Sequence, residues 1–254
     1  MPTCEGETFV LSCGHRSAQP LVLLHGGLTN SSMWFRSLPT WAQYFRVHAV
    51  DVIGDPGFSS PSRPKLSNDA HARWLDDVWR AVDLQEASMV GASLGGFLAL
   101  DYALRRPDRV RKLALIAPAG LASVRTSALA KQLLLCMLGS KGRYRARMIA
   151  FGLREEGLTE ESRKFLEFVE MVQTGVLGRA RLPAAVPDDR LRRLRSTTLI
   201  MLGGRDVFFD SAAVKERIRR IVPQARIEWF PEAGHAVVDA TLVVSDFLRQ
   251  PTAP

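Results

Sequence analysis

Of 254 residues only three are cysteine: Cys4, Cys13 and Cys136. So small and odd a number builds no disulfide framework, so free thiols and a reducing compartment are expected. Long apolar runs are missing as well. The most apolar stretch, residues 133–138, falls far short of the ~20 residues that cross a bilayer. The chain starts Met1-Pro2-Thr3-Cys4-Glu5-Gly6-Glu7, polar and acidic where a secretory leader is basic and then apolar. A cytoplasmic protein with no membrane span is expected. Internal repeats and low-complexity tracts are absent too. Disorder is excluded as the dominant state, because 46% of residues are hydrophobic and mean hydropathy is −0.01. A chain of this length buries about three quarters of its unfolded surface and needs no staples.

Acidic residues are the scarcer charge, 26 against 34 basic, for a net +8. Residues 120–195 hold 15 Lys+Arg and 8 Asp+Glu, whereas the remainder holds 19 and 18. One segment therefore carries +7 of the imbalance. Such a field steers anionic partners, an acidic carrier protein among them, or else it is a solvated helical face. Arg143 and Arg147, four apart, would share one face of a helix. No basic cluster is interleaved with stacking aromatics, so nucleic acid is not an expected partner.

Short apolar runs recur at 21–24, 47–50, 88–90, 113–116, 199–202 and 227–230. Runs of this length bounded by turn residues fit strands buried on both faces of a parallel sheet. Between them lie helical patterns. Trp74, Val78, Ala81 and Val82 form one stripe; Val214, Ile218 and Ile221 form another. Residues 94–106 are rich in helix formers and stop at Pro107. The alternation predicts right-handed βαβ units in one doubly wound, mostly parallel α/β sheet. It breaks over residues 120–195, which read as helical without a strand.

Ser93 stands in Gly91-Ala92-Ser93-Leu94-Gly95, between a strand run and a helix. A lone Gly-x-Ser-x-Gly arises by chance in roughly one chain in ten or twenty; the strand before and the helix after give it meaning. A serine on a sharp strand-to-helix turn needs small neighbours two residues away, and the turn lifts its Oγ above the sheet. A hydroxyl is a poor nucleophile without a base. His235 follows the last strand run and so leaves from the sheet edge that presents Ser93. His15 and His71 lie in polar segments and read as surface residues, His48 as structural. The base needs an orienting carboxylate. Asp206, just past the run at 199–202, is the first choice and Asp210 its competitor. His25-Gly26-Gly27-Leu28 follows the first strong strand run and can aim backbone N–H groups at an oxyanion. Gly27 is the first choice of donor, Leu28 the alternative, and the Leu94 amide the second donor. His25 reads as a structural bond to its own loop. No metal or cofactor is expected.

With these residues in view, the sequence resembles the α/β-hydrolase fold superfamily. The matching segments are His25-Gly26-Gly27, the stretch from Asp51 to Ser59, Gly91 to Gly96, Gly203-Gly204-Arg205-Asp206 and Gly234-His235. They keep the family's order from residue 25 to 235. The resemblance implies a mostly parallel eight-stranded sheet, with a helical cap inserted after the sixth strand. Residues 120–195 would be the cap, and 1–119 with 196–254 the core. It implies that Asp51-Val52-Ile53-Gly54-Asp55-Pro56-Gly57-Phe58-Ser59 is a structural turn, one residue longer than usual, and that the strands before His25 are abbreviated. Family members that open epoxides or displace halide carry aspartate at the elbow, which Ser93 excludes. The expected activity is hydrolysis of a small or medium carboxylic ester through Ser93, His235 and Asp206. The alternatives are thioester hydrolysis, and carbon–carbon hydrolysis, to whose subgroup Ile116-Ala117-Pro118-Ala119-Gly120 is weakly similar. Leu129, Leu133, Leu134, Met137 and Leu138 would line an acyl pocket or pack the cap on the sheet.

Overall fold

The six apolar runs become six parallel strands. In a computed structural model that describes residues 1–173, 182–236 and 240–251, a seventh strand joins them. In chain order the strands are β1 (Val10–Cys13), β2 (Gln19–Leu24), β3 (Phe45–Val50), β4 (Ala87–Ala92), β5 (Val110–Ile116), β6 (Thr197–Gly203) and β7 (Arg226–Phe230). Their spatial order is β1-β3-β2-β4-β5-β6-β7, and only β1 runs antiparallel. The chain fills the sheet in one direction from β2 to β3, then in the other from β4 onward. The order reverses between β2 and β4, where open α/β sheets place their ligands. Registers Leu24↔Gly91, Ala92↔Ile116 and Ile116↔Met201 bring these strands' C-terminal ends to one edge.

Period-two alternation sends successive side chains to opposite faces. Val22, Leu24, Leu113, Leu115, Ile200 and Leu202 join the core on one face, Leu21, Leu23, Ala114, Ile116, Leu199 and Met201 the core on the other. The helices are α1 (Leu38–Trp41), α2 (Ala70–Ala81), α3 (Leu94–Arg105), α4 (Thr126–Met137), α5 (Gly139–Phe151), α6 (Glu160–Gln173), α7 (Asp188–Leu191), α8 (Ser211–Ile221) and α9 (Ala240–Arg249). Residues of α2, α3 and α8 pack in the first core, those of α1 and α9 in the second.

Five expectations need correction. The sheet has seven strands among the described residues, not eight, and the helical insertion follows its fifth. Residues 2–7 do not extend the edge; Pro2–Thr3 and Gly6–Glu7 pair with each other as a small hairpin. His71 is buried, not on the surface, because it lies three residues before Trp74 on the face of α2 that packs inward. Ala81, placed on that stripe from the sequence, is exposed. Arg147 is buried and pairs with Glu170 at 2.9 Å, whereas Arg143 is exposed, so the two are not one solvated face. His15 is exposed and His48 buried as expected. β1 had no sequence signal, since a four-residue edge strand with no fully buried position carries no apolar run.

The span 120–195 contains α4, α5, α6 and α7 and no strand among its described residues; 174–181 lie outside them, as do 237–239 and 252–254 of the expected core. Its two ends are fastened together. Val186 N–H donates to the Gly120 carbonyl at 2.7 Å. The Arg217 guanidinium on α8 donates to the carbonyls of Leu121 and Val186 (2.6 Å each) and to Asp188.

Burial, reinforced by the Arg46 charge, pushes His48 from 6.5 down to about 4. The unfolded chain therefore takes up a proton near pH 6.5 that the folded chain refuses until about pH 4. This contribution is complete above pH 6.5 and is lost as pH falls toward 4, up to about 3 kcal/mol. Urea unfolding midpoints should drop across that window, and less steeply in His48→Gln.

Candidate active site

Ser93 links β4 to α3 with φ 48° and ψ −112°, a conformation rare for a residue with a side chain. Three hydrogen bonds hold it there. Ser93 N–H donates to the Ile116 carbonyl (2.9 Å), and the amides of Phe97 and Ala119 donate to the Ser93 carbonyl (3.0 Å each). A side chain at Gly91 would overlap the backbone of Gly95, and one at Gly95 would overlap the carbonyls of Leu24 and His25. At Gly96 a Cβ would stand 2.9 Å from that of Pro118. These glycines let α3 start directly against the ends of β2 and β5.

Asp206 and His235 arrive on loops that follow adjacent strands, β6 and β7. Two backbone bonds zip those loops together: Gly204 N–H to the Phe230 carbonyl (2.8 Å) and Arg205 N–H to the Ala233 carbonyl (2.9 Å). His235 Nε2 lies 2.9 Å from Ser93 Oγ, and His235 Nδ1 lies 2.8 Å from Asp206 Oδ2. The other carboxylate oxygen, Oδ1, accepts the amides of Phe208 (2.8 Å) and Phe209 (3.2 Å). The Phe208 ring meets His235 edge-on at 5.2 Å, and Phe209 flanks it at 5.5 Å. Asp206 is buried, whereas Ser93 and His235 are partly exposed.

Asp210 is occupied elsewhere. It caps α8 by accepting Ala213 N–H at 3.0 Å and pairs with Arg125 at 3.2 Å, and these two hold its carboxyl below the usual range. Gly27 lies beside the nucleophile turn, since a Cβ there would stand 3.4 Å from the Leu94 side chain. The amides of Gly27 and Leu94 donate to no protein acceptor among the described residues. Leu28 adopts φ 60°. His25 braces this loop: Val52 N–H donates to its Nε2 (2.8 Å), so the neutral ring carries its hydrogen on Nδ1, 2.8 Å from the Gly26 carbonyl. Thr29 Oγ1 donates to the same carbonyl at 2.6 Å. Asp51 accepts the amides of Ser31 (2.7 Å) and Phe58 (2.9 Å), which fastens its long turn against the loop after β2.

Sequence reasoning missed Phe208, Phe209 and Gly152. Nothing marks two loop phenylalanines as the walls of a histidine. Gly152 had a signal, a glycine after a helical stretch. It ends α5 at φ 67°, and a Cβ on it would stand 2.5 Å from Gly234 Cα, beside His235.

Residues 19–239 match the family described as alpha/beta hydrolase fold. The chain belongs to that family. It is similar to the uncharacterized carboxylesterase nap of Bacillus subtilis (strain 168), with 29% identity over 91% of this chain and 78% of the relative. Carboxylesterase YbfK of the same organism is 40% identical over 45% of this chain and 38% of its own. Among solved structures, the naproxen esterase (carboxylesterase NP) of Bacillus subtilis superposes with a TM-score of 0.82 and 28% identity, over 98% of this chain and 89% of that one.

The crowding at the elbow is testable. Gly95→Ala should lower stability by about 1–3 kcal/mol or more, seen as a fall in Tm, because its Cβ meets backbone that cannot move. Gly157→Ala, with nothing within 4 Å, should leave Tm unchanged or raise it slightly.

Proposed function

We propose that the protein is a serine carboxylesterase acting on small or medium esters. The observation that carries this reading is the unbroken chain from Ser93 Oγ through the His235 ring to the buried Asp206 carboxylate. In this reading His235 Nε2 takes the Ser93 proton as Oγ attacks the ester carbonyl. Asp206 accepts the Nδ1 hydrogen, fixes the tautomer and balances the imidazolium. The amides of Gly27 and Leu94 receive the developing oxyanion, and the N-terminus of α3 favours negative charge at that point. The imidazolium then gives its proton to the leaving alcohol. Water, activated by the same ring, releases the acid from the acyl-enzyme.

Ester is favoured over thioester or carbon–carbon substrates because the carboxylesterases nap and NP of Bacillus subtilis are each matched over nine tenths or more of this chain at 28–29% identity. An acidic carrier protein as partner has only the positive charge of residues 120–195 behind it. We read those residues as a helical cap on a core of 1–119 and 196–254, a division supported by the Val186–Gly120 closure and the Arg217 clamp. Among the described residues no helix is long and apolar enough to cross a membrane. Cys4, Cys13 and Cys136 are free thiols, which supports a reducing, cytoplasmic address.

Ser93→Ala should keep the melting profile and lose ~10³-fold or more in kcat on chromogenic esters. Fluorophosphonate labelling should vanish with it; a labelled Ser93→Ala chain would move the nucleophile elsewhere. Asp206→Asn should cost ~10⁴-fold, since it leaves the imidazole in the wrong tautomer. Asp210→Asn should change kcat little. Steady-state rates of the two variants side by side decide which carboxylate orients the base.

A further inference from the structure

A surface helix normally turns its apolar stripe to the core. α4 does the reverse. Its half-buried residues Ala128, Leu129, Gln132 and Leu135 lie on one side. Ala130, Leu133, Leu134 and Met137, at i, i+3, i+4 and i+7, face water on the other. Leu133, Leu134, Met137 and the following Leu138 are 66%, 62%, 76% and 64% exposed. They neither pack on the sheet nor lie in an enclosed acyl pocket, which corrects both readings of these residues. α4 buries no residue, whereas α5 buries Gly142, Ala146, Arg147 and Met148. At Gly142 the two helices come so close that a Cβ would overlap the Leu135 carbonyl. Thus α5 seats this helical hairpin and α4 lies outermost.

The sequence that carries this stripe has charge of one sign, although Asp210 pairs with Arg125 at the start of α4 and Glu170 with Arg147 on α5. From Arg109 to Arg154 the chain has no aspartate or glutamate in 46 residues and ten lysines or arginines. Lys131 on α4 and Lys141, Arg143 and Arg145 on α5 are exposed. Clustered leucines on a helical hairpin whose own sequence carries lysine and arginine and no carboxylate are the chemistry that beds a helix into a lipid headgroup region. A second copy of the chain is the poorer fit, because a two-fold interface through this face sets like charge against like charge. We propose that α4 and the α4–α5 corner dock the protein onto an anionic phospholipid surface. Leucine and methionine side chains enter the acyl boundary while lysine and arginine meet lipid phosphates and carboxylates. The cytoplasmic leaflet is the anionic one. The proposal does not depend on the chemistry assigned to Ser93, and a Ser93→Ala chain should bind as the native one does.

The test is cosedimentation of the full chain with sucrose-loaded vesicles. One set is phosphatidylcholine with about 30 mol% phosphatidylserine, the other phosphatidylcholine alone. The anionic vesicles should pellet the protein at least about tenfold better, and about 0.5 M salt should abolish the difference. Leu133→Gln with Leu134→Gln and Met137→Gln should weaken binding at least about tenfold with an unchanged Tm, since these side chains are mostly exposed. Lys141→Glu with Arg143→Glu and Arg145→Glu should weaken it about 100-fold or more. Equal partition into both vesicle types overturns the proposal, as does triple-glutamine binding at the native level. So does a dimer in sedimentation velocity that the glutamine substitutions dissociate, or an acidic carrier protein that binds the face while vesicles do not.

Discussion

Backbone packed against backbone at one turn sets the rest of the site. Ser93 holds a conformation costing of order 1–3 kcal/mol for a non-glycine residue, so the surroundings must over-determine it. They do so with hydrogen bonds from two sides and with Gly91, Gly95 and Gly96, where no side chain fits. With the turn fixed, α3 begins against the ends of β2 and β5. The amide of Leu94 and the loop carrying Gly27 then come together at the reversal point of the sheet. Nothing in this arrangement depends on side-chain flexibility, which is why it holds a reactive hydroxyl in one place.

Asp206 and His235 are placed by different means. Asp206 has both carboxylate oxygens occupied, one by two amides and the other by His235. A burial that would otherwise be costly for a charge is thereby offset by charge-assisted hydrogen bonds. His235 is gripped by its own loop's attachment to the Asp206 loop and by the rings of Phe208 and Phe209. The oxygen farther from the histidine thus fixes the aspartate, while apolar edges fix the ring.

Much of this architecture was legible from sequence because its signals are local. Continuous apolar runs gave the six parallel strands, each extended by one to three residues at its ends. Glycine spacing gave the elbow. Topology, by which loops after successive parallel strands leave one edge, gathered Ser93, Asp206 and His235 as candidates. What stayed hidden depends on tertiary pairing. β1 owes its existence to the edge of β3. His71 reads as polar but sits on a buried helical face. The leucines of α4 read as pocket or core, since composition does not say which way an amphipathic helix is turned. Arg147 and Arg143 are indistinguishable in sequence, yet one is buried and paired with Glu170 and the other solvated.

Gly152 and Gly234 touch across the boundary between the helical insertion and the sheet. Connecting segments tolerate exchange better than the frame beneath them. Here that freedom has one fixed point. A segment of other length or sequence can replace residues 120–195 only if it leaves no side chain at the place of Gly152. Any Cβ there would press on the loop that carries His235 and disturb its alignment with Ser93. Change in this segment is thus tied, through one pair of glycines, to the loop that carries His235.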